Sequence, residues 1–136
     1  MSGCSVVAHG KLNLGLRVLG RRQDGYHDLA SLFQTVDLAD DVTLTPSAQL
    51  SLQCDDGDVP PETQNLAWRA ADLYLREAGG KPVHIDLVKR IPMGAGLGGG
   101  SADAAAVLRG LNRLASRPLA ADQLGHLGAQ LGSDVP

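Results

Sequence analysis

Residues 92–103 read Pro-Met-Gly-Ala-Gly-Leu-Gly-Gly-Gly-Ser-Ala-Asp, with five glycines among the seven positions from 94 to 100. Each glycine costs chain entropy on ordering. A run of them is useful where the backbone must reach positive φ, or where a ligand must approach backbone N–H groups with no Cβ in the way. The run follows Val83, Ile85 and Leu87, whose alternation predicts a strand that Pro92 ends. It precedes Ala104, Leu108, Leu111 and Ala115, whose recurrence at i, i+4, i+7 and i+11 predicts a helix. A loop that opens a helix presents unpaired N–H donors at the positive end of the helix dipole, which together bind phosphate. Ser101 can cap that helix or offer its hydroxyl to a phosphate-bound Mg²⁺. Pro92, Gly94, Ala95, Gly96, Leu97, Gly98, Gly99, Gly100 and Ser101 are therefore the candidate polyphosphate cradle.

Two other phosphate loops fit less well. Gly94, Gly96 and Gly99 satisfy G-x-G-x-x-G after a strand. The dinucleotide fingerprint also needs a second strand ending in an acidic residue about 20 positions on, where this chain predicts two helices with Asp122 inside the second. Aligning Gly94 and Gly99 with the P-loop puts Gly100 where its lysine should stand. The cradle must draw its cation from elsewhere.

Other residues could complete a site. Asn13 stands two residues from Lys11, hence on the same face of a strand, where its amide can hydrogen-bond a ligand. Tyr26 and His27 follow the Asp24-Gly25 turn, in a chain with one Trp, two Tyr and one Phe. An aromatic ring in such a turn is a platform for a stacked base. Asn65 is a candidate N-cap.

The elements that must position these residues follow from periodicity. Leu12, Leu14, Leu16 and Val18 alternate and predict a strand over 11–18. Residues 29–38 are strand-compatible, and Val42 with Leu44, then Leu50 with Leu52 and Cys54, predict two more short strands, the first stopped by Pro46. An antiparallel meander is expected. Residues 55–63, with Gly57 and Pro60-Pro61, predict a surface loop. Leu66, Ala70, Leu73 and Tyr74 predict a helix stopped by Gly79-Gly80, and Leu124, Leu127 and Leu131 a third helix after the one at the glycines. Strands, helix, strand and two helices suit a two-layer α+β domain better than an alternating doubly wound sheet.

At 136 residues the chain is expected to form one domain with a real core. Twelve Lys and Arg against fifteen Asp and Glu give a formal charge of −3, which excludes a basic nucleic-acid footprint. No apolar run approaches the roughly 18 residues of a membrane helix, and no basic residue precedes an apolar leader, so a cytoplasmic protein without membrane partner is expected. Cys4 and Cys54 match no metal spacing or disulfide framework, and His9, His84 and His126 are expected to be structural. Oligomeric state is not encoded in any feature of the sequence.

The glycine loop resembles that of the GHMP kinase superfamily, P-x-G-x-G-L-G-S-S, which binds the triphosphate of ATP. Gly10-Lys11-Leu12-Asn13-Leu14-Gly15-Leu16, Arg22-Gln23-Asp24-Gly25-Tyr26-His27, Leu32-Phe33-Gln34, the triple glycine and Leu131-Gly132-Ser133-Asp134-Val135-Pro136 are similar to one branch. That branch phosphorylates a hydroxyl of a cytidine-diphosphate-linked methylerythritol in non-mevalonate isoprenoid synthesis. The resemblance implies a two-layer α+β domain like the second domain of ribosomal protein S5, with a mixed sheet packed on helices and ATP and Mg²⁺ as cofactors. By the same resemblance Asp134 is the catalytic carboxylate and Lys11 its cationic partner. Asn13, Tyr26 and His27 bind the small-molecule substrate, the ring stacking on cytosine, and Asn65 lies near adenine.

Two departures stand out. Ala102 replaces a second serine of the loop, leaving Ser101 as the only hydroxyl at the helix start. The family's C-terminal domain, with its own glycine-rich segment, is absent, so residues 1–136 are expected to be a truncated N-terminal ATP-binding domain with poor turnover alone. The competing expectation is a non-catalytic nucleotide-binding module that kept the loop and lost the chemistry.

Overall fold

The computed structural model describes residues 3–13, 17–21, 27–30, 33–55, 64–91, 99–132 and 135. Among the described residues, six strands and three helices follow in chain order. They are β1 (Cys4–Asn13), β2 (Arg17–Arg21), β3 (His27–Ala30), β4 (Phe33–Pro46), β5 (Ser51–Cys54), α1 (Leu66–Ala78), β6 (Val83–Val88), α2 (Gly99–Leu114) and α3 (Ala121–Leu131). Four strands form a mixed sheet in the order β1-β4-β6-β5, and β2 pairs with β3 as a separate ribbon. The two-layer α+β arrangement is the expected one.

The expected meander is not. β4 lies between β1 and β6, antiparallel to both, while β5 runs parallel to β6. A parallel pair cannot be joined by a tight turn, and α1 supplies the crossover between β5 and β6. Alternation reports which face of a strand is buried and says nothing of its neighbours, so the parallel step is absent from the periodicity, while the mixed sheet that the family resemblance implies is the one found. The strand expected over 11–18 also divides, since β1 ends at Asn13 and β2 begins at Arg17. The expected turn at Asp24-Gly25 lies outside the described residues, and so does the loop expected at 55–63, apart from Asp55.

One face of the sheet makes the core. Val6 and Ala8 of β1, Val42 and Leu44 of β4, and Val83, Ile85 and Leu87 of β6 are all buried. The register sets Val6 beside Val42 beside Leu87, with Leu44, Ile85 and Leu52 in the next row. Ala67, Ala70, Ala71, Leu73 and Tyr74 of α1 and Ala104, Val107, Leu108 and Leu111 of α2 cover this face. α2 comes close enough that a Cβ on Gly110 would stand 2.6 Å from Leu44 Cδ1 and 3.3 Å from Val6 Cγ2. Here glycine is needed for approach, not for conformation. Gly79 ends α1 at φ 76°, where glycine is the least strained residue, and its N–H returns to Leu75 O. α3 buries Leu127 and Gly128, and beyond it Val135 is also in the core. Cys4 and Cys54 are partly buried, and Cys54 Sγ lies 3.9 Å from Asp55 Oδ1.

Candidate functional site

α1 and α2 start side by side. Asn65 caps α1 by accepting the Ala67 N–H at 2.8 Å on Oδ1, and the next residue, Leu66, lies where a Cβ on Gly100 would meet its Cδ1 at 3.7 Å. Further along, Tyr74 of α1 donates its hydroxyl hydrogen bond to Asn112 of α2 at 2.8 Å. Contacts 66 to 100 and 74 to 112 mean that the two helices run in the same direction. Their positive dipole ends therefore face the same side of the molecule, a favourable place for a polyanion. Gly99, Gly100 and Ser101 are the first three residues of α2, and the glycine-rich run leads directly into them.

β1 approaches the same end. Gly110 of α2 packs on Val6, while Asp103 is bridged through Lys89 to Asp40, whose partner across the ladder is Ala8. Going back along α2 thus goes forward along β1, which leads from Ala8 to Lys11 as the helix leads from Asp103 to Ser101. Lys11 and Asn13 lie opposite Thr35 and Phe33 of β4. The register shifts between His9 and Lys11, where one residue of β1, Gly10, faces three of β4.

The remaining candidate residues fall as follows. His27 opens β3 opposite Arg21, in the β2–β3 ribbon. Pro92, Gly94, Ala95, Gly96, Leu97, Gly98, Tyr26 and Asp134 lie outside the described residues. Val135, the neighbour of Asp134, is 3% exposed and donates its N–H to Gly132 O, so the chain beside that aspartate is held against the core. Among the described residues no group of three or more His, Cys, Asp or Glu could hold a metal ion, and no helix is long and apolar enough to cross a membrane.

Sequence reasoning missed a buried ionic cluster at the foot of this site. Lys89 Nζ donates to Asp40 Oδ2 at 2.6 Å and to Asp103 Oδ2 at 2.8 Å, and all three side chains are 3% exposed or less. Asp40 Oδ1 accepts the backbone N–H groups of Arg90 at 2.6 Å and Ile91 at 2.9 Å. Burial pushes the Asp40 carboxyl up, but hydrogen bonds from Asp103, Lys89, Ile91 and Arg90 outweigh it and hold the group below its ordinary range. For Asp103, burial and the adjacent Asp40 win over Lys89, and its carboxyl is pushed up to about 8. Burial pulls the Lys89 ammonium down, but the two carboxylates raise it by more, so it stays charged. A signal for the cluster did exist. Asp103 sits four residues before Val107 and seven before Gly110, on the core stripe of α2, and an acid there demands a cation.

His84 of β6 sits between Ser51 Oγ, 2.7 Å from its Nδ1, and Asp86 Oδ1, 3.2 Å from its Nε2. The Ser51 contact ties the edge strand β5 to β6, and both fit the structural role expected of this histidine. An apolar cavity of about 480 Å³ lies between Tyr74, Gly79, Leu111 and Leu114. That is the C-terminal end of both helices, away from Ser101.

Comparison with known proteins bears on the same region. The family described as GHMP kinases N terminal domain matches residues 65–136. A 4-diphosphocytidyl-2-C-methyl-D-erythritol kinase of Desulfotalea psychrophila is 50% identical over 134 residues, which are 95% of this chain and 45% of that protein. One of a Synechococcus strain is 48% identical over all of this chain and 45% of its own length. A crystal structure of 4-(cytidine 5'-diphospho)-2C-methyl-D-erythritol kinase superposes with a TM-score of 0.77 at 46% identity, over 98% of this chain and 47% of that one. A homoserine kinase from Cytophaga hutchinsonii, 20% identical with a TM-score of 0.70 over 95% of this chain and 40% of its own, shares the fold. The chain spans about half the length of the curated relatives it matches.

Proposed function

Because this chain belongs to the GHMP kinases through their N-terminal domain, we propose that it forms the nucleotide-binding half of an ATP-dependent small-molecule kinase. Its acceptor is the 4-position-linked cytidine diphosphate derivative of methylerythritol, 4-diphosphocytidyl-2-C-methyl-D-erythritol, and the step belongs to non-mevalonate isoprenoid precursor synthesis. The reading is carried by one observation: the glycine-rich run enters α2 where the N-terminal ends of α1 and α2 meet.

In this reading, backbone N–H groups of residues 94–101 hold the polyphosphate, and the parallel dipoles of α1 and α2 offset its charge. Asp134 orients the acceptor hydroxyl and takes its proton while Lys11 keeps that carboxylate ionised and faces the transferring phosphoryl group. Phosphoryl transfer needs little more than such placement and charge stabilisation. Asn13, Tyr26 and His27 hold the acceptor, and Asn65 borders the adenine with the amide nitrogen that its capping bond leaves free. Ser101 supplies the hard oxygen that suits Mg²⁺, which would neutralise the phosphates and travel with the nucleotide instead of occupying an all-protein cage. The protein is placed in the cytoplasm on this reading.

The test is phosphoryl transfer by the full-length gene product, followed by phosphorus NMR with ATP, Mg²⁺ and the cytidylated acceptor. Transfer that disappears in Asp134→Ala, with ATP still bound, is the expected result. Asp134→Ala turning over as fast as the parent would remove the proposed role. An intact protein that binds ATP without transferring phosphate to any alcohol would favour the non-catalytic module.

A further inference from the structure

The glycine-rich run has two flanks, and one ionic cluster joins them. On the entry side, β6 ends at Val88, and Lys89, Arg90 and Ile91 follow. Both N–H groups of Arg90 and Ile91 are fixed on Asp40 Oδ1, within β4. On the exit side, Asp103 is the fifth residue of α2. Lys89 Nζ connects the two sides by donating to Asp40 Oδ2 and Asp103 Oδ2. Its backbone N–H is held as well, on Asp55 Oδ1 at 2.9 Å, beyond the end of β5. Strand, entry segment and helix are thus tied through a single ammonium.

An apolar trio would fill the same volume at no desolvation cost, and buried ion pairs are poor sources of stability. What charge-assisted hydrogen bonds add is a narrow tolerance in length and angle. The cost is tolerated here at the one place where the separation of two flanks determines how far apart the donors of a phosphate cradle stand.

We propose that Lys89 is the positioning residue of the nucleotide site, holding Ile91 and the start of α2 in the relative placement that the phosphate-binding run requires. This rests on the kinase reading above. Lys89 touches neither nucleotide nor acceptor in this role and acts through the flanks it joins.

The experiment compares the parent full-length gene product with Lys89→Met, measuring KM for ATP, KM for the cytidylated acceptor, and kcat per folded molecule, the folded fraction being taken from circular dichroism. The expected result is a rise of about tenfold or more in KM for ATP with a fall in kcat, since displacement of positioning groups by about 1 Å costs up to 10²-fold. KM for the acceptor stays within about twofold, because its binding residues lie on other elements. A merely structural lysine gives a different pattern: activity falls with the folded fraction while both KM values stay at the parent's, and that result overturns the proposal.

Should Lys89→Met not fold, Asp103→Ala carries the same test, since it removes the acceptor on α2 while Lys89 keeps Asp40 as its partner. A rise of about threefold or more in KM for ATP supports the clamp, and an unchanged value overturns it. A parent that neither binds nor consumes ATP defeats the kinase reading and this inference together. A fully active parent with indifferent variants defeats this inference alone.

Discussion

Replacing Gly110 by alanine, and Gly125 by alanine as its counterpart, sets two terms of known size against each other. Both glycines are inside helices, α2 and α3. In a helix interior alanine is favoured over glycine by about 0.8–1 kcal/mol. At Gly125 nothing lies within 4 Å of the added methyl, so that gain should appear nearly whole. At Gly110 the methyl would stand 2.6 Å from Leu44 Cδ1 and 3.3 Å from Val6 Cγ2. An ordinary carbon contact is about 3.5–4.0 Å, so roughly 1 Å must be found. Leu44 is completely buried, and it cannot swing into solvent to make room.

Overpacking of this kind costs about 1–3 kcal/mol, which outweighs the helical gain. Gly110→Ala should therefore lose up to about 2 kcal/mol where Gly125→Ala gains roughly 0.5–1. Urea unfolding of both variants beside the parent, at fixed m-value, measures the difference directly. If the two substitutions stabilise equally, α2 does not pack on β1 and β4 as described. The same displacement reaches function, because α2 carries Gly99 to Ser101 at its other end. Gly110→Ala should weaken ATP while Gly125→Ala leaves it alone.

Gly98→Val or Gly99→Val should abolish ATP binding in titration calorimetry by putting a Cβ into the cradle, and unchanged affinity would remove the loop from the site. Tyr26→Ala should weaken the cytidylated acceptor by about 1–3 kcal/mol with ATP affinity preserved, as expected for loss of one stacked base. Equal losses for both ligands would contradict the assignment. Asp40, held below the ordinary carboxylate range, contributes stability that is present at neutral pH and lost as pH falls through its folded value. The stability gap between parent and Asp40→Asn in thermal melts should accordingly narrow as pH falls below about 5. A gap that is constant with pH would mean that Asp40 acts by shape and not by charge.

The sequence by itself determined the local elements and the placement of the glycine-rich run. Val83, Ile85 and Leu87 alternate because one face of β6 is buried, and α1 runs from the Asn65 cap to the Gly79 stop because those residues satisfy its ends. Both signals are confined to a few neighbouring residues, which is why they can be read from a single chain. The candidate roles of Lys11 and Asp134, by contrast, rest on the resemblance of their motifs to the GHMP kinases.

Only the tertiary structure decided what stands beside what. The parallel pairing of β5 with β6, the common direction of α1 and α2, and the shift of register between His9 and Lys11 arise from contacts between distant segments. So does the bridge from Asp40 through Lys89 to Asp103, which spans 49 and 14 positions of sequence. Periodicity records whether a side chain meets solvent or core, and a buried acid shows in it only as a misfit. Which cation answers that misfit is settled when the sheet and helices close on each other and exclude the water that would otherwise have solvated both.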